Sequence, residues 1–192
     1  PVFVHPDASG EMAKLLDSLK ANPENDHFIG AYSLGKAQRI IRILRDLGHD
    51  DEILLHGSME TLCSYYQSRG IELGRLSKLI DAGARRKNGG SIIIGPPSAI
   101  GTTWVNRMAD PVFAYASGWM RIRQRAKRAG VELPLIVSDH CDWPELQQSI
   151  LDSGAGEIWV THGNEDGLVR WCAMQGIAAK PLRLVGFSDE GD

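Results

Sequence analysis

Apolar positions along the chain alternate between two spacings, one typical of amphipathic helices and one of short buried strands. Helical spacing is found in five segments: 12–19, 36–47, 58–69, 143–153 and 166–175. Short apolar runs that predict strands lie at 27–32, 53–55, 91–94, 112–116, 135–137, 158–161 and 182–185. Because these strands alternate with helices, the pattern predicts an α/β chain with a largely parallel sheet.

Local signals sharpen some of these boundaries. Helix 36–47 has arginines opposite its apolar face and is followed by Gly48, a suitable C′ residue. Ser58 is predicted to cap the next helix. Segment 119–129 is polar and strongly basic and is predicted to be helical, whereas residues 85–90 resemble an exposed loop.

Composition narrows the classes of protein that the chain can belong to. The 192 residues suffice for one domain, or one and a fraction, at about 150 residues per domain. A net charge of −3 excludes a uniformly basic nucleic-acid coat but allows a local basic patch. The three cysteines are far apart and form no CxxC pair, which favours a reduced, cytoplasmic setting. Neither a secretory leader nor a membrane helix is predicted.

Polar residues follow four predicted strands, at 33–36, 56–57, 138–142 and 161–164. In parallel sheets, sites lie at the carboxyl ends of strands. We expect His140 and His162, at neighbouring strand ends, to converge on one cleft beside Asp139. Histidine can ligate a metal or act as a general acid near neutral pH. Two histidines with carboxylates are fewer donors than a protein metal site normally needs.

The segment 30–37 is close to the phosphate-binding loop GxxxxGK followed by Ser or Thr, and it lies between a predicted strand and a helix. Ala37 stands where the magnesium-binding hydroxyl is required. A nucleoside-triphosphate binder built around Lys36 is therefore one hypothesis, and an ordinary strand-to-helix turn is the other.

A run of cations follows Trp119, comprising Arg121, Arg123, Arg125, Lys127 and Arg128. Such a run can bind the phosphates of a nucleic acid while the aromatic ring stacks on a base. A solvated helix face is the alternative interpretation.

Six segments, taken in order, resemble the β-CASP nucleases of the metallo-β-lactamase fold, most closely the bacterial ligase-associated DNA exonucleases. They are 31–39, 55–57, 96–99, 116–121, 138–143 and 160–163. The resemblance extends along essentially the whole chain. It implies a β-CASP domain at residues 1–130 and the carboxyl-terminal part of the lactamase αββα fold at 131–192.

The resemblance also implies a division of roles. His140 corresponds to the family histidine that protonates the leaving oxygen or contacts the scissile phosphate, and Asp139 is expected either to orient it or to cap the following helix. His162 corresponds to a ligand of one of two zinc ions. The predicted nucleic-acid contacts are Lys36, Trp119, Arg121, Arg123 and Arg125.

The family motif HxHxDH does not occur in the sequence, which begins at Pro1. We therefore expect a carboxyl-terminal portion that lacks the first half of the lactamase fold and is inactive alone. The intact protein is expected to be a zinc-dependent exonuclease acting on DNA, or on RNA, with a DNA ligase system as partner. A non-catalytic nucleic-acid-binding module is the alternative.

Overall fold

The computed structural model describes residues 2–79, 88–163 and 165–184. Within these ranges six α-helices are present: α1 (Ala8–Ala21), α2 (Lys36–Asp46), α3 (Gly57–Ser68), α4 (Arg123–Arg128), α5 (Trp143–Ser153) and α6 (Asp166–Met174). The strands of the same ranges are β1 (His27–Gly30), β2 (Ile53–Leu55), β3 (Leu76–Lys78), β4 (Ile92–Gly95), β5 (Val112–Ala116), β6 (Leu133–Leu135), β7 (Glu157–Val160) and β8 (Ala178–Pro181). None of the described helices has the length and apolar composition that a membrane span requires.

Six of these strands form one parallel sheet in the order β3-β2-β4-β1-β5-β6. The predicted α/β class with a parallel sheet is therefore confirmed. Strands β1, β2 and β4 are buried along their whole length. A parallel sheet is covered on both faces, and this explains why its central strands read as continuous apolar runs.

The core lies on both faces of this sheet, because successive side chains of a strand point in opposite directions. Phe28 and Ile93 join the cluster on one face, together with Trp104. Ile29 and Ile94 join the larger cluster on the other face, which is completed by the apolar sides of α1, α2 and α3.

The chain divides into two compact units. The first is His5–His140 and contains the six-stranded sheet, and the second combines Pro1–Val4 with Cys141–Asp192. Strand β6 pairs with β5, so residues 133–135 belong to the first unit, whereas the predicted boundary lay at 130/131. Strands β7 and β8 form a separate two-stranded parallel sheet in the second unit.

Most predicted elements are present, and some boundaries or types were wrong. The predicted strand at 182–185 is wrong: Leu182–Leu184 is a 3-10 helix, the strand is Ala178–Pro181, and Val185 lies outside the described residues. The predicted helix 119–129 is a 3-10 turn, Gly118–Arg121, followed by α4. Strand β3 was missed because Leu-Ser-Lys has little apolar signal. The predicted loop at 85–90 lies outside the described residues up to Lys87.

Candidate functional site at the carboxyl edge of the sheet

One edge of the six-stranded sheet collects most of the polar segments singled out in the sequence. Five strands end at Gly30, Leu55, Gly95, Ala116 and Leu135, and all run in the same direction. The segments after them therefore emerge at one edge, where sites in α/β sheets are found. Gly30 and Pro97 approach closely there, since a Cβ on Gly30 would lie 3.2 Å from the Pro97 Cα.

Lys36, in the first turn of α2, lies inside the protein. Its side chain is 4% exposed, and its ammonium nitrogen is 3.5 Å from an Asp139 carboxylate oxygen. The same nitrogen lies 5.1 Å from the centroid of the Tyr32 ring. Burial of a charge requires such partners, because the lost hydration is otherwise uncompensated. Lys36 thus differs from the other predicted nucleic-acid contacts, all of which are exposed.

The turn that leads into α2 is closed by its own side chains. The Gly35 amide donates to Gln38 Oε1 at 2.8 Å, and Gln38 Nε2 donates to the Ser33 carbonyl at 2.9 Å. Gly35 has φ +80°, a conformation that suits glycine. The amide and the ammonium that a phosphate loop would offer to a nucleotide are therefore both engaged within the chain, which does not favour the nucleoside-triphosphate hypothesis.

Asp139 and His140 lie in the loop after β6. The Ser138 hydroxyl oxygen accepts a hydrogen bond from the His140 amide at 3.1 Å. Asp139 faces Lys36 and Arg39, and its side chain does not cap the following helix. The cap of α5 is Asp142, which accepts from the Glu145 amide at 3.0 Å, so the predicted capping role of Asp139 is wrong.

His56 follows β2 and caps α3, the role that the sequence suggested for Ser58. Its Nδ1 accepts from the Ser58 amide at 3.1 Å, and its ring packs edge-on against Trp104 with a centroid separation of 4.6 Å. Burial lowers the pKa of His56, and the positive charges of Arg107 and Lys78 lower it further. The surroundings of His56 therefore favour its neutral form, and its hydrogen bond to Ser58 and its packing against Trp104 are structural contacts.

The basic surface, defined as Trp119, Arg121, Arg123 and Arg125, is exposed. Trp119 is 40% exposed, and the Arg125 guanidinium stacks 3.8 Å from its ring centroid. Lys127 and Arg128 continue the charge on α4. These four predicted nucleic-acid contacts lie on one exposed stretch of the first unit, within which Trp119 and Arg125 are in contact.

His162 belongs to the second unit and lies two residues beyond the end of β7 at Val160. Its backbone has φ 68°, and Gly163 follows with φ 75°. Left-handed backbone is unfavourable for a residue with a Cβ and is often retained at functional positions. His140 and His162 follow strands of different sheets, so their expected neighbouring positions in a single sheet are not observed. Asn164 lies outside the described residues.

Sequence reasoning missed three side chains at this edge. Arg39 donates to the Ser138 carbonyl at 2.6 Å, a contact between positions 99 residues apart. Burial raises the pKa of the Tyr115 phenol, and the neighbouring Tyr32 hydroxyl raises it further. No local sequence pattern predicts such contacts, because they depend on which strands become neighbours in the sheet.

No protein-family model matches the chain, and no curated protein matches it, so the comparisons do not identify a family.

The positions of the side chains that could ligate zinc test the predicted zinc site. Among the described residues, no three or more His, Cys, Asp or Glu side chains lie together as a metal site would require. The described donors therefore do not fit a zinc centre by themselves, and no step through zinc follows from them.

Proposed function

We propose that the chain is the carboxyl-terminal portion of a β-CASP nuclease of the metallo-β-lactamase fold, acting on DNA phosphodiester bonds. One observation carries this proposal. Of the six segments on which the resemblance depends, five follow strands of one parallel sheet and emerge at one edge. Segments that are scattered along the sequence thus share one location, as parts of a common site do.

The basic surface supports nucleic acid as the ligand. Its guanidinium groups can neutralise backbone phosphates, and such contacts bind without reading sequence. Trp119 offers an aromatic ring already stacked with Arg125, an arrangement that also suits nucleic-acid bases. In this proposal the basic surface holds the backbone, and His140 donates a proton to the leaving oxygen.

The second unit supports the proposal that the chain is part of a larger fold. Its two-stranded sheet leaves Trp159 53% exposed, and Met174 on α6 is 73% exposed. Exposed apolar side chains mark a surface for further polypeptide when they form one patch, and the proposal expects Trp159 and Met174 to belong to such a patch. The first half of the lactamase fold is the covering that the resemblance implies.

The test of nuclease function starts with the coding DNA upstream of the Pro1 codon. We expect an in-frame HxHxDH about one domain, or ~150 residues, upstream. The longer chain, supplied with zinc, should release nucleotides from end-labelled DNA, and His140→Ala should reduce the rate by at least about a hundredfold. A longer chain that binds DNA but releases no nucleotides would contradict the proposal.

A non-catalytic nucleic-acid-binding module is the second candidate, and the basic surface favours it independently of any metal. Binding of the 192-residue chain to a fluorescent oligonucleotide can be followed by anisotropy across a range of salt concentrations. The triple change R121E/R123E/R125E should abolish binding under both proposals. The control K20E/R69E/R170E changes the net charge equally at exposed cations elsewhere and should retain it.

Salt dependence and competition describe the binding, and the histidine variants separate the two candidates. Each lost phosphate contact should lower the slope of log affinity against log salt by about 0.7 to 0.9, and unlabelled RNA as competitor distinguishes DNA from RNA. Changes of His140 and His162 should leave function intact if the chain is only a binding module.

A further inference from the structure

The loop that carries His140 is held by two cations from another part of the chain. Lys36 and Arg39 are three positions apart in α2, so they lie on the same helix face. Lys36 approaches one Asp139 carboxylate oxygen at 3.5 Å, and Arg39 approaches the other at 3.8 Å. The carboxylate is thus flanked on both sides by positive charge.

The two cations differ in how they are placed. Lys36 is almost fully buried, with its charge balanced by Asp139 and by the face of the Tyr32 ring. Its ammonium is therefore not presented to an external phosphate. Arg39 is half-exposed and also donates to the Ser138 carbonyl at 2.6 Å. It therefore contacts the loop backbone as well as the Asp139 carboxylate.

Gly118 packs against the same loop. A Cβ added to Gly118 would lie 3.2 Å from the Ser138 Cβ, so a larger residue there would require Ser138 to shift by a few tenths of an ångström. Within the loop, the Ser138 hydroxyl accepts from the His140 amide. The segment Ser138–His140 is therefore contacted by α2 and by Gly118, while the His140 side chain remains exposed.

We infer that Lys36 and Arg39 are positioning residues, which hold the Ser138–His140 loop so that His140 is presented in a fixed place at the sheet edge. This assigns Lys36 a role different from direct contact with nucleic acid. The inference rests on the proposed function for the use of His140, but the order of the loop is a property that can be measured without any activity. A group that acts in proton transfer depends on such placement, because small displacements reduce the rate strongly.

Backbone ¹⁵N relaxation of the 192-residue chain tests the inference directly. In the unaltered protein, the amides of Asp139 and His140 should have order parameters near ~0.85, and Lys36→Met or Arg39→Gln should lower them below about 0.6. Arg42→Gln is the matched control, since Arg42 is a similarly exposed arginine of α2 that pairs with Asp46 and Glu72 instead. Unchanged order parameters in both K36M and R39Q would overturn the inference. If K36M does not fold, R39Q decides alone, because Arg39 is exposed.

Kinetics of the longer chain give a second readout. K36M and R39Q should lower kcat by about 10- to 100-fold with KM within about twofold, since positioning affects the chemical step more than binding. A raised KM with unchanged kcat would instead make these residues direct DNA contacts and overturn the inference. If the unaltered longer chain cleaves nothing, the proposed function fails, and the relaxation experiment still decides whether the loop is held by Lys36 and Arg39.

Discussion

His162 has an exposed imidazole and a left-handed backbone. Glycine tolerates that backbone conformation better than any other residue does. At the scale of single residues, the role proposed for His162 is opposed to local stability. A residue with a Cβ in this conformation costs on the order of 1 kcal/mol. The cost is explained if the side chain is required for activity.

Replacement of His162 separates these two contributions. His162→Gly should raise the urea midpoint of unfolding, by up to about 1 kcal/mol in free energy, because the strained backbone is relieved. His162→Ala keeps the Cβ and should bring no such gain. Both variants should lose nuclease activity in the longer chain. Equal stability of the glycine and alanine variants would show that the backbone at this position is not strained.

The sequence identified Lys36 and Asp139 as candidate site residues, but it did not predict that they form an ion pair with each other. The sequence suggested a phosphate loop for the first and a partner of His140 or a helix cap for the second. Their ion pair forms because β1 and β6 end at the same edge of the sheet. Charge pairing across such a distance in the chain has no sequence signature.

At the scale of elements, the cap of α5 was recognisable in the sequence, where capping was one of two roles expected for Asp139, but the capping residue is Asp142. Asp142 and Glu145 form a capping box, in which each side chain accepts from the backbone amide of the other. Aspartate followed three residues later by glutamate is the sequence signature of this motif. Gly154, with φ 61°, ends the same helix.

The Asp142 cap makes a measurable contribution to stability. Asp142→Ala should lower the free energy of unfolding by about 1 kcal/mol, since it leaves an amide of the first turn without its acceptor. Asp142→Asn keeps an acceptor oxygen and should be nearly neutral. Thermal unfolding of the three proteins compares these effects, and equal destabilisation by both substitutions would contradict the cap.

Strand β1 begins with a buried histidine that should make stability depend on pH. The His27 Nδ1 donates to the Asn25 carbonyl at 3.2 Å, and Nε2 lies 2.9 Å from the Ser18 hydroxyl. Burial lowers the pKa of His27 below its ordinary value of 6.5. The folded state therefore binds fewer protons than the unfolded state, and stability is lost as the pH falls below that value.

Urea unfolding at pH 7.5 and pH 5.5 measures this dependence. The unaltered chain should be less stable at the lower pH, and His27→Gln should reduce the difference because the substituted side chain does not titrate. Burial also lowers the pKa of His49 and His56, so part of the difference should persist. A variant that retained the full difference would exclude His27 as a contributor.

At the scale of the whole molecule, the two units differ in how well they bury apolar surface. The first unit has a continuous core on both faces of its sheet. Among the described residues, the second unit exposes as many large apolar side chains as the first although it is less than half as long, and they include Trp159, Met174, Leu151 and Leu182. A two-stranded sheet provides too little surface to cover them.

This difference predicts where a hydrophobic dye should bind. The fluorescence of anilinonaphthalene sulfonate in the presence of the chain should fall when Trp159 and Met174 are both replaced by serine, because large exposed apolar side chains are its binding sites. Tyr65→Ser, at an exposed aromatic residue of the first unit, is the control and should change it less. A larger loss of fluorescence in the Tyr65→Ser control would show that the dye binds mainly to the first unit, which would contradict the prediction.

The local elements and the α/β class follow from the pattern of apolar positions along the chain. Helix α2 and its end before Gly48 follow from apolar spacing and a C′ glycine, and β4 follows from three consecutive isoleucines. These signals are local, since the spacing of side chains around one helix or along one strand decides which faces can be buried. The polar segments at strand ends were likewise visible before the strand order was known.

Tertiary structure alone decided the order of the strands and what the polar residues do. Strand β4 lies between β2 and β1, and β6 carries its loop to the edge where α2 begins. These neighbours are selected by the packing of both sheet faces, which involves the whole first unit at once. For that reason the sequence pattern could not predict that Lys36 is buried and paired with Asp139, or that Arg39 donates to the Ser138 carbonyl. Nor could it predict that His162 follows a strand of a separate sheet.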